Sequence, residues 1–96
     1  MDSLREYRPL IERLLADYME FFGEDDQVET VGIIDQSATN YLLLELGWQH
    51  PQRIYNVIFH VRLHNGRIHV EQDWTREGIA HQLLEAGVPQ DLLVLG

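Results

Sequence analysis

The chain has 96 residues, 45% of them hydrophobic and 24% charged, which excludes a disordered polymer and leaves room for one hydrophobic core but not two. Sixteen acidic residues stand against seven Arg and no Lys, a formal net charge of −9; bulk charge therefore counts against unassisted binding to nucleic acid, and favours either a well-solvated surface or an acidic face for a basic partner. Cysteine is absent, so disulfides and thiolate metal sites are excluded.

Met1-Asp2-Ser3 lacks the basic and apolar regions of a signal peptide, and no apolar run approaches the roughly 20 residues that span a bilayer. A cytoplasmic protein is expected. The first element is an amphipathic helix: Leu4, Tyr7, Ile11, Leu14, Tyr18 and Phe21 recur at spacings of three and four, and Leu10, Leu15 and Phe22 widen the stripe. Ser3 and Glu6 fit a capping box, while Pro9 implies that the helix bends there or becomes regular only near Arg8. Gly23 closes it, and Glu24-Asp25-Asp26 reads as a solvated acidic loop.

Val28 to Ile34 is a strand of mostly β-branched residues, and Asp35 to Asn40 a polar turn. Tyr41 to Trp48 is a second strand, with Leu42, Leu44, Leu46 and Trp48 at period two, and His50-Pro51-Gln52 turns the chain. Asn65-Gly66 between alternating residues marks a type I′ hairpin. Centring the turn there pairs His64 with Arg67, Arg62 with His69, and His60 with Glu71. Tyr55, Val57, Phe59, Val61, Leu63, Ile68, Val70 and Trp74 then face the core. Asn56, His60, Arg62, His64, Arg67, His69, Glu71 and Asp73 face water. Thr75 is placed to N-cap a second helix through Ile79, Ala80, Leu83 and Leu84, which Gly87 and Pro89 end. Leu92 to Leu95 suit a short edge strand or a partner contact. These elements specify an α+β fold: an antiparallel sheet of four to five strands, a meander around the Asn65-Gly66 hairpin, covered on one face by the N-terminal and C-terminal helices.

No element carries the layout of an active site, and neither catalytic residues nor a cofactor is assigned. His60, His64 and His69 share the wet face with Glu71, but His64 lies at the far end and Arg62 opposes a cation, so no metal is assigned. Asp25, Asp26 and Asp35 sit in turns, and Ser37 lacks a nucleophile elbow. Trp48, Tyr55 and Trp74 are expected in the core or at its rim, any of them able to anchor an interface. The candidate interaction surface is His60, Arg62, Arg67, His69 and Glu71 on the hairpin, with Trp74, Leu93 and Leu95.

Gly47-Trp48, Arg53-Ile54-Tyr55, Phe59-His60-Val61 and Asn65-Gly66-Arg67-Ile68 occur in that order, followed by Asp73, Thr75, Ile79-Ala80 and Leu83. The chain ends on Gly87-Val88-Pro89-Gln90-Asp91-Leu92-Leu93-Val94-Leu95-Gly96. This series, with Leu4, Tyr7, Arg8 and Ile11 ahead of it, resembles the XisI family, the fdxN element excision controlling factors, over residues 1–96. The family has an aromatic where His69 stands and Glu where Arg76 stands, spaces the segment around Gln90-Asp91-Leu92 more widely, and continues into a short C-terminal tail that this chain lacks. The resemblance implies a non-enzymatic accessory factor in the excision of a DNA element in cyanobacteria, beside a recombinase and a nuclease-like companion, XisH. It supplies no catalytic residues. The preferred expectation is a protein that binds an XisH-like or other DNA-processing partner. Direct DNA binding in the manner of an excisionase, through Arg62, Arg67 and Arg76, is the alternative, and a small His-dependent metal protein or hydrolase ranks last. A homodimer or higher homo-oligomer is expected, a homodimer being favoured through the open sheet edge and Leu92 to Leu95.

Overall fold

The computed structural model describes residues 4–22 and 27–95. Ser3, Gly23, Glu24-Asp25-Asp26 and Gly96, to which the sequence assigned a cap, a helix stop, an acidic loop and a terminus, lie outside the described residues. A 3-10 turn over Arg5–Tyr7 leads into helix α1, Arg8–Phe22. Pro9 thus sits in the first turn, where its missing N–H interrupts no helical hydrogen bond. Four strands follow: β1 (Val28–Ile34), β2 (Asn40–Gln49), β3 (Gln52–His64) and β4 (Arg67–Asp73). Helix α2 (Ile79–Glu85) and the short β5 (Leu93–Leu95) complete the described chain. The strands form one sheet in the order β1-β2-β3-β4-β5. All pairs are antiparallel except β4 with β5, which run parallel because α2 carries the chain back across the sheet.

Both helices lie on one face. Ile11 and Leu15 of α1, Ile79 and Leu83 of α2, and Phe59, Val61 and Ile68 of the sheet belong to a single buried cluster. A Cβ on Gly32 of β1 would meet Leu15 and Met19, so α1 lies directly over that strand. Gly47 is needed for a different close approach. A Cβ there would stand 2.0 Å from the carbonyl oxygen of Gln27, which accepts a hydrogen bond from the amide of Trp48.

The Asn65-Gly66 turn forms as expected, with positive φ at both residues. His64 pairs with Arg67 and Arg62 with His69. The expected pairing of His60 with Glu71 does not occur: Glu71 is an extra residue in β4, and His60 pairs with Gln72. A second bulge lies in β3. Leu43 pairs with Phe59 but Leu44 with Val57, leaving Ile58 extra. A one-residue insertion exchanges the faces of everything beyond it. Tyr55 and Val57, expected on the core side, therefore share the opposite face with Leu46 and Leu44. The bulge leaves carbonyls to satisfy, and they are satisfied: Gln72 Nε2 donates to Val57 O at 2.8 Å and the Trp74 amide to Ile58 O at 2.7 Å.

Two carboxylates close the loops. Asp35 accepts from the amides of Thr39 and Asn40 and from the Thr39 hydroxyl and the Asn40 side-chain amide. Hydrogen bonds from Asn40, then Thr39, hold its carboxyl well below the usual carboxylate range. Asp73, expected on the wet face, turns under instead. Its carboxylate accepts from the Thr75 amide and hydroxyl and from the Ile79 amide. Thr75 is therefore not the N-cap of α2. Gly78, at φ +88°, precedes the helix, and Asp73 satisfies its first amide.

A Gly47→Ala change should destabilise the protein by at least about 2 kcal/mol in urea unfolding, because the backbone of Gln27 has to move. The stability contributed by Asp35 is fully present above its unfolded pKa, near 3.8, and is lost as pH falls toward its lower folded value. The melting temperature of Asp35→Asn should accordingly fall below that of the wild type at neutral pH, and the gap should narrow under acid; equal melting temperatures at pH 7 would contradict the role given to this carboxylate.

Candidate functional site

The residues singled out in the sequence occupy three places. His60, Arg62, Arg67, His69 and Glu71 share the sheet face that points away from the helices. Asn40 Nδ2 donates to Asp35, so its Oδ1 accepts from His60 Nε2 at 2.8 Å. Arg62 donates to His64 Nδ1 and approaches Glu71 at 3.9 Å. His69 Nε2 donates to His64 O, and the two rings meet edge to face with centroids 5.8 Å apart. The histidines are thus committed to Asn40, Arg62 and a main-chain carbonyl. Among the described residues, no three His, Asp or Glu side chains are arranged to hold one metal ion. Leu93 and Leu95 lie at the parallel edge strand, Leu93 half-buried against the core and Leu95 exposed.

Trp74 lies on the other side of the molecule, and its indole is not in the core: it is 78% exposed. The extra residue Glu71 in β4 accounts for this placement. Phe59 pairs with Asp73, ending β4 one residue before Trp74, and the chain then bends toward α2. Phe21, on the last turn of α1, is 79% exposed. The two rings and Tyr18 line a groove of about 520 Å³ between α1 and the segment leading to α2. Leu14, Thr75 and Gln82 also line it, and the Gln82 amide donates to the Tyr18 hydroxyl. Asp17 and Glu77 outnumber Arg76 around it, so the groove joins an aromatic lining to a negative rim. Such a lining suits the cationic end and apolar stem of a Lys or Arg side chain.

The groove was partly legible. Trp74 is among the candidate residues, whereas helical spacing places Phe21 in the buried stripe of α1. Its place in the last turn of α1 is the one available sign that it stands clear of the core. Trp48 and Tyr55 are also exposed rather than core. Trp48 stacks on His50, and the Arg53 guanidinium lies 5.5 Å from the centre of its ring.

The XisI protein family profile matches residues 1–96. The fold is that of a XisI-like protein from Anabaena variabilis ATCC 29413, at a TM-score of 0.91 and 33% identity, covering 98% of this chain and 86% of that one. A second crystal structure, of the fdxN element excision controlling factor XisI from the same organism, superposes with a TM-score of 0.85 at 33% identity, covering 99% of this chain and 92% of that one. No curated protein matches the chain significantly. Among the described residues no helix is long and apolar enough to cross a membrane.

Replacing Trp74 with Ala should change unfolding stability by no more than about 0.5 kcal/mol, as for a surface residue, whereas a core Trp would lose about 3–5 kcal/mol. Urea unfolding of the variant distinguishes the two.

Proposed function

The chain belongs to the XisI family, and from that membership we propose that it is a non-enzymatic controlling factor of DNA-element excision that acts by binding a nuclease-like partner of the XisH kind. The observation that carries the reading is the groove between α1 and α2. Phe21 and Trp74 stand exposed around it, with Asp17 and Glu77 on its lining. Exposed aromatic side chains in a concave site are the usual anchors of protein interfaces. DNA-processing proteins carry basic surfaces, and a chain of net charge −9 is drawn to them at long range. A basic segment of the partner then places an Arg or Lys between the rings, beside the two carboxylates. A cleft occupied in this way is unavailable to DNA, so control operates by holding or shielding the partner.

The best-held carboxylates favour a binding role over catalysis. Asp35 and Asp73 are engaged by loop amides and hydroxyls, which keeps Asp35 ionised and acceptor-only instead of poised to exchange a proton. Direct DNA contact through the hairpin is the weaker reading, because Glu71 faces Arg62 and the remainder of the chain repels phosphate.

The purified chain should form a complex with its XisH-like companion at micromolar concentration. Asp17→Lys with Glu77→Lys should weaken that complex at least about tenfold in calorimetry while leaving the circular dichroism unchanged. Absence of a complex at those concentrations, or a complex indifferent to the double variant, would contradict the reading.

A further inference from the structure

The sheet has a second apolar face. Strand β2 alternates between two layers: Tyr41 and Leu43 enter the helix-side core, while Leu42, Leu44, Leu46 and Trp48 point the other way. The β3 bulge adds Val57 beside Leu44 and Tyr55 beside Leu46. Strand β1 adds Val31 beside Leu44 and Ile33 beside Leu42. The patch is contiguous. Leu44 at its centre is only 8% exposed although it lies outside the helix-side core cluster, so its neighbours already enclose it. A strand apolar on both faces is the pattern of a sheet covered on both faces.

We propose that this outer face is the interface of a symmetric homodimer, with a second copy packed sheet to sheet across β2. The size of the patch supports this. From their fractional exposures and side-chain areas of roughly 150–250 Å² for the aromatics, these side chains expose on the order of 400–500 Å². That lies within the roughly 300–600 Å² of the largest apolar patch on a typical monomer, a patch that is often a binding surface. With the polar side chains that ring it, the face reaches the scale of about 800 Å² per partner that a stable interface buries.

The charges on its rim select a second copy over a foreign occupant. Glu29 of β1 pairs with Leu46, and Arg53 of β3 pairs with Trp48. They flank the patch on opposite sides, one pleat apart along β2. A two-fold axis parallel to β2 lays β1 of one copy over β3 of the other. Val31 then meets Val57, and Glu29 arrives beside Tyr55 and Arg53, twice per dimer. Arg53 is held ready on this face, donating to Gly47 O at 2.9 Å and lying over Trp48. This dimer differs from the one expected through the sheet edge and Leu92 to Leu95. It leaves β4, β5 and the groove between the helices uncovered, and so goes beyond the partner-binding reading without depending on it.

Sedimentation equilibrium of the purified chain, with no other protein present, tests the proposal over about 1 to 100 µM. The wild type should show a monomer–dimer equilibrium in that range. Tyr55→Asp and Ile33→Asp, at sites 65% and 41% exposed where folding tolerates a polar residue, should each weaken dimerisation at least tenfold. Glu29→Arg and Arg53→Glu should each weaken it several-fold, and the two together should restore it. Leu95→Asp should leave it unchanged. A monomer at every concentration, a dimer insensitive to Tyr55→Asp and Ile33→Asp, or a dimer broken by Leu95→Asp would overturn the proposal.

Discussion

The extra residue at Ile58 decides which side of the sheet is which. Side chains in a strand alternate with a period of two, so one inserted residue moves the rest of the strand to the other face. Beyond this bulge Phe59, Val61 and Leu63 meet the helices, while before it Val57 and Tyr55 meet Leu44 and Leu46 on the far side. A separate extra residue, Glu71 in β4, shifts the next pairing so that Asp73 faces Phe59 and Trp74 falls past the strand end, exposed at the groove instead of in the core. The Gln72 side chain and the Trp74 amide donate to the carbonyls of Val57 and Ile58 at the β3 bulge, so both of these are paired.

Two consequences follow for binding, on opposite sides of the molecule. On the helix side, α1 and the segment before α2 enclose one core and end in exposed Phe21 and Trp74 above a rim of carboxylates. On the far side, β2 presents a second apolar stripe. A chain this small has a high ratio of surface to volume, and burying both stripes internally would take another layer. The proposed assembly divides the work: the sheet face meets a second copy, and the groove remains open to a basic partner.

Much of the fold was legible in local chemistry. The Asn65-Gly66 turn set its own register, because both residues accept positive φ, and the spacing of Ile11, Leu15 and their neighbours specified α1. The strand bounds around Val28 to Ile34 followed from β-branched residues between polar loops. The two bulges were not legible from turn chemistry, since no Gly or Pro marks them. The one available sign was the unbroken apolar run Val57-Ile58-Phe59, where strict alternation fails. Missing that sign puts Tyr55 and Val57 in the core; the extra Glu71 in β4 carries no such sign, and without it His60 pairs with Glu71 and Trp74 faces the core. The start of α2 was misplaced for a related reason: Asp73, read as a wet-face residue, reaches six residues forward to the amide of Ile79. The candidate site was legible in its residue types but not in its grouping. The hairpin His and Arg share a face, whereas Trp74 joins Phe21, a residue that helical periodicity alone assigns to the core.

The central claim is that the groove between the helices, and not the hairpin, receives the partner. Amide hydrogen exchange of the chain alone and with its XisH-like companion tests it most directly, since exchange reports where opening is suppressed. Protection should rise over residues 14–21 and 74–82 and stay constant over 60–71. Protection confined to 60–71, with residues 14–21 and 74–82 unchanged, would contradict the account.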